Sequence, residues 1–157
     1  MRKQKGFSLT ELLIVVAIIL IIAAIAIPNL LKARIAANQA SAVGSLRTMV
    51  TSEVSYQSSY GTYSKDLPSL GGPLPCTSAA ATACLIDDTL ANATAVAKAK
   101  SGYYFTFAAG AGNQSFTINA DPATVGQTGD MRYFTDNSGV IRFNAAASAT
   151  NKDPALQ

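Results

Sequence analysis

Sixteen consecutive residues, Leu12 to Ile27, carry no polar side chain, and a single carboxylate, Glu11, stands directly before them. The run resumes after Pro28-Asn29 with Leu30-Leu31. About twenty residues of Leu, Ile, Val and Ala make a helix of bilayer length. A chain with such a segment must cover it with lipid or with protein before anything else about its fold is decided. Upstream lie a short basic stretch, Met1-Arg2-Lys3-Gln4-Lys5-Gly6, and then Phe7-Ser8-Leu9-Thr10. An ionisable group at the rim of a membrane segment is costly, and such residues are functional candidates by default. The placement of Glu11 predicts a charge meant for a partner subunit.

The formal net charge of +3 is concentrated at the start of the chain. Setting aside Arg2, Lys3 and Lys5 leaves nine of the twelve basic residues against nine acidic ones, a balance of zero. The remaining basic residues are scattered, so no nucleic-acid partner is predicted. There is no histidine, which removes the commonest general base and a common metal ligand. With no phosphate loop and no recognisable carboxylate pair, the sequence predicts neither an enzyme nor a cofactor. An ordinary secretory signal would offer a small-x-small cleavage site after the apolar run. Ile25-Ala26-Ile27-Pro28-Asn29 is a poor match. Basic residues ahead of the run place residues 1–6 on the cytoplasmic side and the bulk of the chain outside the cytoplasm. Two cysteines, Cys76 and Cys84, suit an oxidising compartment.

Downstream of the apolar run, from residue 32 to about 60, the pattern is an amphipathic helix. Ile35, Val43, Leu46, Val50 and Val54 recur at helical spacing, with Asn38, Gln39, Ser45, Arg47 and Glu53 between them. Tyr60-Gly61 is the expected stop, since Gly61 can take a left-handed conformation. The two stretches together predict one helix of about fifty residues, on the order of 75 Å long. Pro28 lies inside it and removes a backbone donor, which predicts a kink or local unwinding. It reads equally as a proline tolerated in a membrane helix or as a flexible joint. Residues 61–101 form a connecting region with the loop signals Leu67-Pro68 and Gly71-Gly72-Pro73-Leu74-Pro75. A short helix is expected over Asp87 to Lys98. From Gly102 the period changes to two, and turns at Gly110-Ala111-Gly112-Asn113 and Asp136-Asn137-Ser138-Gly139 predict two hairpins, about four antiparallel strands over residues 102–143. Residues 144–157, rich in Ala, Ser and Asn, read as a frayed tail. The fold class is α+β, a long helix packed on a small antiparallel sheet.

The segment Gly6-Phe7-Ser8-Leu9-Thr10-Glu11-Leu12-Leu13-Ile14-Val15, behind its basic leader, resembles the processing site and N-terminal signature of type IV pilins and related pseudopilins. The specific motif covers Gly6 to about Pro28, and the helix-then-hairpins order extends the similarity to about Phe143. The resemblance implies that a membrane aspartyl peptidase cuts after Gly6 and methylates the new N-terminal Phe7. It implies that Glu11 is the family's assembly glutamate and Pro28 its helix-breaking proline. It further implies an inner-membrane precursor, an assembly ATPase and platform protein, and polymerisation with identical subunits through the apolar helix. Expected roles are a surface pilus serving adhesion, motility or DNA uptake. The nearest alternative is a pseudopilin of a type II secretion or competence system, and a more distant one is a monomeric membrane-anchored binding module.

Elementary physics runs parallel to that resemblance. Gly6 lets a protease approach its carbonyl, and cleavage would create an amine at Phe7 one helical turn from Glu11. In a helix bundle, a neighbour's amine ~4 Å from Glu11 would attract it by about 4 kcal/mol at an effective dielectric near 20, before desolvation. The alternative role for Glu11 is local: Ser8-Leu9-Thr10-Glu11 also spells a capping box.

Cys76 and Cys84 enclose seven residues, and a disulfide between them would contribute about 2–3 kcal/mol in the chain-entropy model. Asp121, Asp130 and Asp136 lie in loops around the last strands. Some pseudopilins hold calcium in that region, and three carboxylates with backbone carbonyls could ligate it; the other reading is ordinary turn chemistry. No aromatic residue lies between Phe7 and Tyr56, which argues against an aromatic wire along the helix. Tyr56, Tyr60 and Tyr63 are expected between helix and sheet or at the surface.

Overall fold

The computed structural model describes residues 7–156. Its elements in chain order are the helix α1 (Leu9–Tyr60), a 3-10 turn (Leu67–Leu70), the short helix α2 (Asp88–Ala91), a second 3-10 turn (Val96–Lys98), and the strands β1 (Tyr103–Ala109), β2 (Phe116–Pro122), β3 (Arg132–Asp136) and β4 (Arg142–Asn144). The strands pair antiparallel in the order β1-β2-β3-β4, so both expected hairpins form and the α+β class holds. The chain divides into two compact units between Arg34 and Ile35.

In the first unit every described residue is exposed except Ala23, which is half-buried. Helix α1 runs through Pro28 without a break. The expected local unwinding is absent: a proline deprives one preceding carbonyl of its donor, while the bonds on either side persist.

The second unit holds the core. Leu46, Met49, Tyr103, Phe105 and Ile118 are fully buried, and the α1 face that reaches them is Ala42, Leu46, Met49 and Tyr56. This face is turned from the expected stripe. Val43 and Val50 only flank the core, and Val54 is 51% exposed. Glu53, read as solvated, is completely buried together with Ser45 and Ser52. The buried face of α1 therefore includes polar side chains that a hydrophobicity pattern places outside. Helix α1 stops where expected. Gly61 has φ +81° and its amide donates to the Gln57 carbonyl at 2.8 Å, a left-handed cap that a Cβ would disfavour.

On the sheet, Tyr103 and Phe105 of β1 and Phe116 and Ile118 of β2 point inward, and Phe107 pairs across from Ile118. This is the period-two alternation expected of a half-buried antiparallel sheet. Two other expectations fail. The helix expected over Asp87–Lys98 forms only as Asp88–Ala91. Its Asp87 cap does bond the Leu90 amide at 2.7 Å, but the Ala93 carbonyl accepts from Phe105 at 2.7 Å, and that tie to β1 competes with continuing the helix. The tail is not loose either. Leu156 donates to the Ile141 carbonyl at 2.7 Å and Phe143 to the Pro154 carbonyl at 3.1 Å. Asn119 Nδ2 holds the Ala149 carbonyl at 2.8 Å, and Ala149 is buried. Backbone bonding to β4, rather than side-chain burial alone, fixes this low-hydrophobicity stretch.

Candidate assembly site on the N-terminal helix

Helix α1 begins at Leu9 with Ser8 at the capping position. The Ser8 amide donates to Glu11 Oε2 at 3.0 Å, and the Thr10 amide donates to Ser8 Oγ at 3.3 Å. The reciprocal bonding of the capping box is thus present, shifted by one residue on its hydroxyl side. Glu11 is exposed, and among the described residues it forms no ion pair. A carboxylate in the first helical turn also suits the positive end of the helix dipole. Phe7 is 79% exposed. Gly6 lies outside the described residues, as does the rest of the leader over 1–6.

Beyond Glu11 the helix is long and apolar enough to cross a membrane, and none of its apolar window is buried among the described residues. Leu12, Ile19, Ile22 and Ile27 are each more than half exposed. Contiguous apolar surface of this extent marks a membrane or protein contact. The arrangement can therefore do two things. It can anchor the chain in lipid, and it can present one uncompensated carboxylate to a cation brought by another chain.

The remaining candidate residues belong to the second unit. Cys76 and Cys84 are bonded to each other, with Cα atoms 6.0 Å apart. Helix α1 holds this loop in place: Tyr56 donates its hydroxyl to the Ala80 carbonyl at 2.7 Å, and the Tyr60 and Ser78 hydroxyls meet at 3.4 Å. Tyr63 packs edge-on against Phe116, ring centroids 4.9 Å apart. The three calcium candidates are not brought together. Among the described residues no group of three His, Cys, Asp or Glu side chains could hold a metal ion. Asp121 accepts from Ser148 at 3.0 Å and pairs with Arg132 at 3.6 Å. Asp136 accepts from the Ser138 amide at 2.9 Å, the expected turn chemistry.

Sequence reasoning missed Glu53. Its carboxylate accepts from the Ser64 amide at 2.9 Å and from Ser64 Oγ at 2.5 Å. Burial raises its pKa above the ordinary value, and the Ser64 hydrogen bonds offset part of the rise. One signal was available: Glu53 follows Leu46 and Met49 at the i+7 and i+4 spacing of a single helical face.

The family model for the prokaryotic N-terminal methylation motif matches residues 1–27. The chain is 46% identical over 70 residues to the type IV wide pilus major component PilA4 of Thermus thermophilus, which covers 45% of this chain and 53% of the relative. It is 45% identical over 62 residues to the type IV major pilin protein PilA of Myxococcus xanthus, covering 40% of this chain and 28% of the relative. The matched stretch thus spans about half of the first relative and a smaller share of the second. No solved structure matches.

Proposed function

We propose that this chain is a type IV pilin, a structural subunit of a pilus which polymerises through the apolar half of α1. The observation that carries this reading is the uncovered apolar helix behind one exposed carboxylate. Lipid covers that surface in the precursor, and copies of the same helix cover it in the filament. Because lipid shelters the surface as well as protein does, packing, interhelical bonding and dedicated assembly machinery supply the difference. That machinery, on this reading, is a prepilin peptidase acting between Gly6 and Phe7 and methylating Phe7, together with a platform protein and an ATPase. The relatives named as major pilus components favour a surface pilus over a secretion pseudopilus.

In the isolated chain Glu11 accepts one exposed backbone bond, worth about 0.5–1.5 kcal/mol. Inside a helix bundle the amine of a neighbour's Phe7 replaces it as the stronger partner. A subunit out of register then leaves a buried carboxylate unpaired, which costs about 3–5 kcal/mol, so Glu11 sets register more than it adds affinity. Pro28, which leaves one carbonyl of α1 without a donor, is the point at which the helix bends to fit the bundle.

Mass spectrometry of the purified protein tests the processing. The expected chain begins at N-methylated Phe7; an intact leader in the assembled material refutes the reading. In cells carrying only Glu11→Ala, the expected outcome is normal membrane insertion with filament yield reduced at least tenfold by electron microscopy. Normal filament yield from that variant removes the pairing argument.

A further inference from the structure

Glu53 is one of two glutamates in the chain, and it is fully buried. Its bonding has a peculiarity of hydrogen count. Ser64 Oγ lies within donating distance of two acceptors, Glu53 Oε1 at 2.5 Å and the Asp66 carbonyl at 3.1 Å. A serine hydroxyl carries one hydrogen and can satisfy one of them at a time. If Glu53 is ionised, its carboxylate takes that hydrogen and the Asp66 carbonyl loses the donor. If Glu53 is protonated at Oε1, its own O–H donates to Ser64 Oγ, the serine hydrogen turns to the Asp66 carbonyl, and the Ser64 amide still donates to Oε2. Every acceptor in the set then has a donor.

The surroundings offer the ionised form no help. No lysine or arginine is buried among the described residues. The nearest titratable groups are Tyr56, one turn along α1, and Asp66 on the loop, and neither brings positive charge. Lys65 pairs with Asp66 at 3.8 Å, at the surface, and the Asp66 carboxylate is also engaged by the Ser69 amide at 3.0 Å. The sheet contributes Arg132, which is taken by Asp121. A buried carboxylate without a cation is disfavoured in its charged form.

We propose that Glu53 is a proton-binding latch: its protonated form ties α1 to Ser64 and frees the serine hydrogen for the Asp66 carbonyl, whereas its ionised form keeps the Ser64 bonds but leaves that carbonyl without its donor and a buried charge without a cation, which loosens the loop. The loop passes the effect onward. Leu67 and Leu70 are core residues, and the Ser69 and Leu70 carbonyls accept from Ala83 and Leu85 at 2.8 Å each, on either side of Cys84. One proton on α1 thus bears on the seating of the disulfide loop. The sign follows from linkage: the folded form holds this proton more tightly than the unfolded form. The contribution is complete below the ordinary value of 4.5 and is lost as pH rises through the higher folded value.

The composition makes the test direct. In the full chain in detergent micelles, labelled with carboxyl-13C glutamate, two carboxyl resonances report Glu11 and Glu53, each assigned by its loss in Glu11→Gln or Glu53→Gln. The expected result is a Glu53 midpoint above 4.5 and a melting temperature that rises on acidification from neutral pH toward that value. Glu53→Gln supplies an N–H where the acid supplies O–H, so it should flatten that slope and melt no lower than the parent at neutral pH. A Glu53 midpoint at or below the ordinary value, or a Glu53→Gln chain that keeps the parent's pH slope, overturns the proposal. If Glu53→Gln does not fold, the titration of the parent, assigned through Glu11→Gln, decides alone.

Discussion

Residues 12–27 and residues 42–56 lie on the same helix, and a hydropathy reading ranks the first stretch as far the more apolar. Burial within the chain runs the other way. The apolar stretch is exposed apart from half-buried Ala23, whereas the second stretch, which contains Ser45, Ser52 and Glu53, buries all three. Composition therefore decides what a helix needs, not where it finds it. In the second unit the sheet and the loops supply the cover, and two of the three polar groups are bonded there, Glu53 by Ser64 and Ser52 by the Leu85 carbonyl. In the first unit the described residues stay exposed apart from half-buried Ala23, and on the proposed reading lipid or other copies supply the cover.

The sharpest way to break this contrast is to remove a core ring. Phe105→Ala should destabilise the second unit by about 3–5 kcal/mol, measured by urea unfolding, because Phe105 is fully buried in the core on a strand paired with β2. The counterpart in the first unit is Ile19→Lys, at a position 58% exposed. It should cost about 3 kcal/mol of membrane insertion and leave the urea midpoint of the second unit unchanged. A shift of that midpoint would mean the two stretches share a cooperative fold. The smallest effect concerns Thr135, whose buried hydroxyl has no partner. Thr135→Val keeps the shape and removes the unsatisfied group, and should stabilise the second unit by about 1 kcal/mol.

Much of this was legible beforehand, for reasons that differ by region. The strands could be read because Tyr103, Phe105 and Phe107 alternate with polar neighbours and because the turns carry Gly and Asn. The helix end at Gly61 and the disulfide depended on residues with few alternative uses. The proposed assembly end of α1 stood out in the sequence because Glu11 breaks an apolar rule at one place. What could not be read depended on tertiary partners. Glu53 looks solvated until Ser64 is placed beside it, and α2 looks longer until the Ala93 carbonyl is claimed by Phe105. Residues 144–156 look loose until Ile141, Phe143 and Asn119 are seen to bond them. Each of these requires knowing which distant backbone group arrives, which local pattern does not encode.

The central claim is that the bare apolar half of α1 is covered by copies of itself. The most direct measurement is cryo-electron microscopy of filaments sheared from the cell surface, with the chain identified in them by mass spectrometry. The account predicts helices from many copies packed in the filament core, with Leu12–Ile27 away from solvent and Glu11 of one copy against the amino terminus of another. Recovery of the mature chain only as single molecules in the membrane, with no polymer containing it, would contradict it.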